Sequence, residues 1–218
     1  MNLPLLAALF GLIILCLGAF ILLGRSSFKQ QEKTDYHFSN RFPFELLNAF
    51  PAPFALLAKL LVIAGSFGFI VFGFFAFPFP NLYQAIFVMV GFLLSGLLWI
   101  GLLITDMRYI KLHLLMASLY FVMVAFTSAA VAYFAWTSPY DLFHPALPFV
   151  AGALSLAELV IAFNPRLKRW ETLEAVTQKD GSVTYERPKR FVLPFSEWLS
   201  TLILVILAAF ILLSMLLN

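Results

Sequence analysis

Apolar residues along this chain collect into six long runs separated by shorter polar stretches. A helix needs about 20 predominantly apolar residues to cross the ~30 Å hydrocarbon core of a bilayer. The runs are close to that length, so the pattern predicts six transmembrane helices, of which the fifth is the shortest. The predicted helices cover residues 3–23, 55–77, 82–105, 109–136, 147–163 and 195–217.

The composition supports this interpretation. Hydrophobic residues make up 62% of the chain and charged residues only 11%, against about 25% charged residues in ordinary soluble domains. We therefore predict one all-α membrane domain over residues 1–218, folded as a six-helix bundle. The single cysteine, Cys16, lies inside the first apolar run, which excludes an intrachain disulfide and a cysteine metal motif.

The basic residues predict the orientation of the chain. All 14 Lys and Arg residues fall in or beside the first, third and fifth connections, whereas the loops around Pro80 and Asp141 have none. Because Lys and Arg concentrate in cytoplasmic loops, loops 25–54 and 164–194 are predicted to be cytoplasmic. Both termini then lie on the non-cytoplasmic side of the inner membrane. No basic residue precedes the first helix, so we interpret it as a retained helix rather than a signal peptide.

Two segments on the predicted cytoplasmic side have features beyond charge. Residues 42–54 are apolar but too short to cross a bilayer, which suits a segment in the membrane interface. Between residues 171 and 186, Val176, Val183 and Tyr185 flank the turn sequence Lys-Asp-Gly-Ser at 179–182. Asp-Gly favours a tight hairpin turn, so this loop is predicted to form a small β-hairpin.

Small and polar residues recur on one face of the fifth helix, as Ala151, Ser155, Glu158 and Ala162. Small residues allow helices to pack closely in lipid, so Glu158 is predicted to face protein. An ionisable side chain inside a membrane span is costly and therefore indicates a function.

Similar stripes on four other helices also end in ionisable residues on the basic side. We predict that Lys59, Asp106, His113, Glu158 and Glu197 converge there. One interpretation is a proton or cation site, or a metal held by His113 and the carboxylates. The other is structural, with salt bridges that tie helix ends together and Lys59 extending to the interface. No His-x-x-x-His or Glu-x-x-His spacing supports a metal site, and no cofactor is predicted.

On the opposite side, Asp141 and His144 stand three residues apart, close enough for the carboxylate to orient the imidazole as a general base. No serine elbow or phosphate-binding glycine loop accompanies them. A polar loop explains this pair more economically than a catalytic site.

These features leave three functional hypotheses. The leading one is a non-catalytic subunit or scaffold of a larger membrane complex, which offers its cytoplasmic hairpin and first loop to protein partners. The second is a small transporter or channel that uses Glu158, and the third is a lipid-active enzyme that uses His144 or His113. Nucleic acid is not an expected partner, because the net charge is only +3 and no basic groove with aromatic residues is present.

Overall fold

The computed structural model describes residues 3–76, 82–105, 107–137, 143–169, 174–177 and 182–218. This part of the chain forms seven α-helices, two short 3₁₀ turns and one two-stranded sheet. The helices are α1 (Leu3–Glu32), α2 (Pro43–Asn48), α3 (Ala52–Phe75), α4 (Leu82–Ile104), α5 (Ile110–Thr137), α6 (Leu147–Ala162) and α7 (Val192–Leu216). The strands are β1 (Glu174–Thr177) and β2 (Val183–Glu186).

Five of the described helices, α1, α3, α4, α5 and α7, are long and apolar enough to cross a membrane. The chain is therefore a multi-pass membrane protein. Helix α6 is also apolar, but its 16 residues are fewer than the usual span. The predicted boundaries agree with the observed ones to within about three residues, except that α1 continues to Glu32 instead of ending near Leu23. No proline interrupts this extension, and Phe28 anchors it because its side chain is buried.

The helices pack largely in chain order. Helix α1 contacts α3, α3 contacts α4, α4 contacts α5 and α5 contacts α6, while α7 closes the bundle by contacting α6, α5 and α1. Large apolar side chains such as Leu15, Leu56 and Val160 are exposed on the outer surface. Such a surface suits lipid, whereas water would penalise an apolar patch of this extent.

Most described residues of the predicted small and polar stripes are buried, although Lys59 is exposed. On α6, Ala151, Ser155 and Glu158 are buried, and between α4 and α5 the hydroxyls of Ser95 and Thr127 lie 3.2 Å apart. The buried stripe residues on the other helices are Val62, Ser66, Gly73, Val88, Gly91, Ser95, His113, Ala117, Val124, Ser128, Glu197, Thr201, Leu204 and Ala208.

The predicted hairpin between α6 and α7 is confirmed. Strands β1 and β2 pair antiparallel, with Ala175 opposite Tyr185 and Val176 opposite Thr184. Residues 178–181, which include most of the predicted turn, lie outside the described residues. The side chains of Val176 and Val183 are exposed, so the hairpin presents apolar groups at its surface.

The apolar segment 42–54 packs onto the end of the bundle. Its first half forms α2, which contacts α1, α3, α4 and α7, and its second half begins α3. The side chains of Phe42 and Leu46 are fully buried, because the ends of the surrounding helices offer them an apolar protein surface. That this segment lies at the membrane interface stays a prediction.

The close approach of α3 and α4 gives a first prediction. A Cβ atom at Gly73 meets the Cβ atom of Phe92 at 2.5 Å, a distance that forces the helices apart. We expect Gly73→Ala to destabilise the protein by about 1–3 kcal/mol through overpacking. This is measured as a lower midpoint of thermal unfolding in detergent.

The matched control is Gly11→Ala on α1, where an added Cβ has no heavy atom within 4 Å. It is expected to keep or raise the midpoint, because alanine favours helix more than glycine does. Equal midpoints for the two variants contradict the α3–α4 contact.

Candidate functional site

A histidine and a glutamate meet inside the bundle. His113 stands in the first turn of α5 and Glu197 in the second turn of α7, and both side chains are fully buried. Nε2 of His113 lies 2.9 Å from Oε1 of Glu197. Nδ1 of the same ring lies 2.7 Å from the carbonyl oxygen of Thr105, which follows α4. The imidazole therefore links the ends of three helices.

The carbonyl of Thr105 determines the protonation of this pair. A carbonyl oxygen only accepts hydrogen bonds, so Nδ1 of His113 carries a proton and donates it. At 2.9 Å, a second proton must lie between Nε2 and the carboxyl oxygen, because two unprotonated acceptors repel each other. Either the protonated Glu197 donates to a neutral imidazole, or an imidazolium donates to the carboxylate. The pair therefore shares one proton.

Aromatic rings cover the His113–Glu197 pair. The rings of Phe42 and Phe44 approach the imidazole edge-on, each with a centroid distance of 5.4 Å. Phe191 packs against Phe42 at 5.7 Å. We call residues 36–50 together with 187–192 the cap, because they close this end of the bundle over the pair.

Hydrogen bonds anchor the cap to α7. The hydroxyl of Tyr36 donates to the carbonyl of Phe42 at 2.8 Å, and the indole of Trp198 donates to the Tyr36 oxygen at 3.0 Å. Burial raises the pKa of the Tyr36 phenol far above its usual value, although the bond from Trp198 opposes this shift. Tyr36 therefore stays protonated and keeps donating. The backbone N–H of Phe191 donates to the carbonyl of Ser39 at 2.7 Å, which joins the two halves of the cap.

Charged groups complete the cap at its rim. Glu45 of α2 pairs with Arg187, which follows β2, and with Arg41 at 3.5 Å. The first loop and the segment after the hairpin are thus one structural unit, although 142 residues separate Glu45 from Arg187.

Glu158 is the second buried carboxylate. It lies in the fourth turn of α6 and is fully buried, and the Ser200 hydroxyl of α7 donates a hydrogen bond to its Oε1. Its Oε2 has no hydrogen-bond partner among the described residues. One hydroxyl is a small compensation for removing a carboxylate from water.

Further polar side chains lie beside the two carboxylates. The hydroxyl of Thr201, the neighbour of Ser200, donates to the backbone carbonyl of Glu197 at 2.9 Å. The hydroxyl oxygens of Tyr120 and Thr201 lie 3.2 Å apart. We call this set the interior polar network; its members are His113, Tyr120, Glu158, Glu197, Ser200 and Thr201.

Two more buried atoms near this network lack partners in the described part of the chain. They are Oε2 of Glu197 and Nε1 of Trp99. The Trp99 ring lies 5.8 Å from the ring of Tyr120. With Oε2 of Glu158 there are thus three unsatisfied polar atoms, two acceptors and one donor, in one apolar interior.

The structure brings together only part of the predicted cluster. His113 and Glu197 are in contact, and Glu158 reaches α7 one turn further along. Lys59 is exposed on α3 and does not lie among these buried groups. A lysine in such a position can extend its ammonium group towards the interface, as the structural interpretation expects. Asp106 lies outside the described residues.

Sequence reasoning missed the hydroxyls that hold the carboxylates. Ser200 follows Glu197 by three positions on α7, and Tyr120 follows His113 by seven on α5, so each lies on the same helix face as an ionisable residue. That spacing is a usable signal. The partner of each hydroxyl depends on which helices pack together, and residue spacing along one helix does not predict that.

The pair predicted on the opposite side shows no catalytic arrangement in the described residues. His144 is half-buried, and its Nδ1 accepts from the backbone N–H of Ala146 at 3.3 Å. Asp141 lies outside the described residues. No group of three or more His, Cys, Asp and Glu side chains that could hold a metal occurs within the described ranges.

Comparisons with known proteins add no assignment. No protein-family model matches the chain, and neither curated proteins nor solved structures give a significant match. The function is therefore argued from the geometry.

The shared proton gives a second prediction. Glu197→Ala removes the carboxylate that bonds Nε2 of the buried His113, and we expect a loss of about 3 kcal/mol. Glu197→Gln can donate an amide N–H to Nε2, so its free energy of unfolding is expected to fall by clearly less. Both values come from unfolding the purified protein with increasing SDS in mixed micelles.

Nitrogen NMR of labelled His113 provides a check that does not depend on stability. The wild-type protein is expected to show a protonated Nδ1 in any accessible pH range. A ring protonated only at Nε2, or equal losses for the two variants, contradicts the arrangement.

Proposed function

We propose that the protein crosses the inner membrane six times, with both termini on the non-cytoplasmic side. The apolar helix α6 adds a sixth span to the five long ones, since bilayers thin locally around short spans. The basic residues support the orientation, because all 14 lie in or beside alternate connections. In this topology the cap and the hairpin face the cytoplasm.

We further propose that the protein is a small transporter that binds and releases a proton at Glu158. This proposal rests on one observation: Glu158 is buried, and Ser200 is its only hydrogen-bond partner among the described residues. A link between helix ends explains His113 and Glu197, which are hydrogen-bonded to each other, although Oε2 of Glu197 has no hydrogen-bond partner among the described residues. It does not explain Glu158, whose burial costs stability without a matching partner, and such residues in membrane helices mark ion or proton pathways.

A groove approaches Glu158 from the side of the cap. It has a volume of about 570 Å³ and opens between α5, α6 and the start of α7, and Ala162 and Asn164 line it. Ala162 follows Glu158 by four residues on the same face of α6, a rise of about 6 Å. In this proposal, water entering the groove covers that remaining distance and exchanges the proton.

Glu158→Gln tests the transport proposal. In proteoliposomes with an internal pH-sensitive dye and an imposed potassium diffusion potential, the wild-type protein is expected to admit protons. The variant is expected to lose at least about tenfold of this flux, because an amide cannot take up and release the proton. Glu32→Gln is the matched control, since Glu32 is an exposed carboxylate at the end of α1.

The same variants separate a functional from a structural role. The amide of Glu158→Gln still accepts from Ser200 and costs less to bury than a carboxylate, so its thermal midpoint is expected to equal or exceed that of the wild type. Undiminished flux in Glu158→Gln overturns the proposal. The wild-type protein could instead pass sodium or potassium and no protons, as measured with dyes for those ions. That result would overturn the proton site and indicate a cation site.

A second candidate function is that of an accessory or scaffold subunit of a membrane complex. The specific observation is the two-stranded hairpin, whose exposed Val176 and Val183 suit strand addition by a partner protein. The cap holds the base of the hairpin through the Glu45–Arg187 pair. A docking platform of this kind is compatible with transport.

Val183→Cys tests both the orientation and the docking. The native Cys16 is buried, so an added cysteine is selectively labelled. A membrane-impermeant maleimide is expected to react with Val183→Cys in inverted vesicles and not in intact spheroplasts. Leu217→Cys, which is exposed beyond α7, is the control and is expected to react in the opposite way.

A photo-reactive cross-linker on the same cysteine measures docking in cells. A stoichiometric protein partner captured from Val183→Cys and not from Leu217→Cys supports the scaffold function. A chain that remains solitary from both positions contradicts it, and labelling of both cysteines from one side contradicts the proposed topology.

A further inference from the structure

An apolar groove of about 490 Å³ lies between α1 and α7 on the outer surface of the bundle. Gly18 and Ile21 line it from α1, Leu202 from α7, and Phe38 and Phe195 close one end. A Cβ atom at Gly18 has no heavy atom within 4 Å, so the missing side chain leaves open space. The groove is therefore a gap between two helices that a slender apolar molecule can fill.

The dimensions of the groove match one half of a bilayer. Its wall on α7 runs from Val205 to Phe195, a rise of about 15 Å at ~1.5 Å per residue. The hydrocarbon core of a bilayer is ~30 Å thick, so one leaflet contributes about 15 Å. A single acyl chain of a lipid in that leaflet has the shape and the polarity that the groove accepts.

A positive charge stands at the closed end of this groove. Arg25 follows Gly18 by seven residues and Ile21 by four, so it lies on the same face of α1. Its guanidinium carbon lies 5.6 Å from the centroid of the Phe38 ring, which is part of the groove wall. Arg25 is exposed. A guanidinium here is placed to bind a phosphate with paired hydrogen bonds.

We propose that this groove is a specific site for an anionic glycerophospholipid of the leaflet on the basic side of the protein. One acyl chain fills the space over Gly18, and the phosphate binds Arg25. Arg25 complements the negative charge of the lipid headgroup, and the apolar groove complements the shape of an acyl chain. Together they select this class of lipid. The site is independent of the proposed transport, although Thr201 belongs both to the groove wall and to the interior polar network.

Native mass spectrometry of the full chain tests the site. The protein is released from nanodiscs that contain equal amounts of dioleoyl phosphatidylglycerol and dioleoyl phosphatidylcholine, which differ only in the headgroup. We expect the wild-type protein to retain one phosphatidylglycerol in preference to phosphatidylcholine. Arg25→Gln is expected to lose about fivefold of this preference, the factor associated with one basic residue near the lipid headgroups.

Gly18→Leu fills the groove and is expected to abolish retention of the lipid. Gly11→Leu is the matched control, because an added Cβ there also meets open space but lies outside the groove. Leu202→Trp fills the groove from α7 and is also expected to abolish retention of the lipid, so it provides the test if Gly18→Leu fails to fold. Arg166→Gln controls for loss of a basic residue elsewhere.

Two results overturn the proposal. One is equal retention of the two lipids by the wild-type protein, which indicates unspecific lipid at the surface. The other is a retained phosphatidylglycerol in folded Gly18→Leu or Leu202→Trp, which places the lipid elsewhere.

Discussion

The cost of placing ionisable groups in an apolar interior governs this structure. His113 and Glu197 are both fully buried, and they are compatible with that environment because they share one proton and because Thr105 accepts the other imidazole hydrogen. The rings of Phe42 and Phe44 then keep water from the pair. The cap encloses the pair, and a hydrogen bond in such an apolar interior is stronger than one open to water.

The start of helix α7 contacts the buried histidine, the cap and the second buried carboxylate. Within five residues, Glu197 contacts His113, Trp198 donates to the cap, Ser200 bonds Glu158 and Thr201 meets Tyr120. Helical geometry turns successive side chains by about 100°, so neighbours in sequence reach different neighbours in space. The start of α7 thus joins the cap, the interior polar network and the lipid-facing groove.

The two buried carboxylates differ in a way that matters for function. Glu197 is hydrogen-bonded to the basic side chain of His113, and the pair links helix ends. Glu158 has only a neutral hydroxyl as a partner in the described part of the structure. The second oxygen of each carboxylate lacks a hydrogen bond there. An environment of that kind makes the free energy of the charged and neutral forms sensitive to small changes in hydration, which is what a proton-binding site in a membrane requires.

The sequence by itself determined the class of the protein, the positions of the apolar helices, their inward faces and the hairpin. Hydrophobicity, helical spacing and turn residues are local properties, and local pattern is sufficient to specify them. It also identified Glu158, His113 and Glu197, because an ionisable residue in an apolar run stands out without knowledge of its surroundings. Only the tertiary structure decided which of them meet, that Lys59 stays outside, and that Phe42 covers the histidine. Those contacts join residues up to 84 positions apart. They depend on which helix faces which, and many arrangements of helices satisfy the same local pattern equally well.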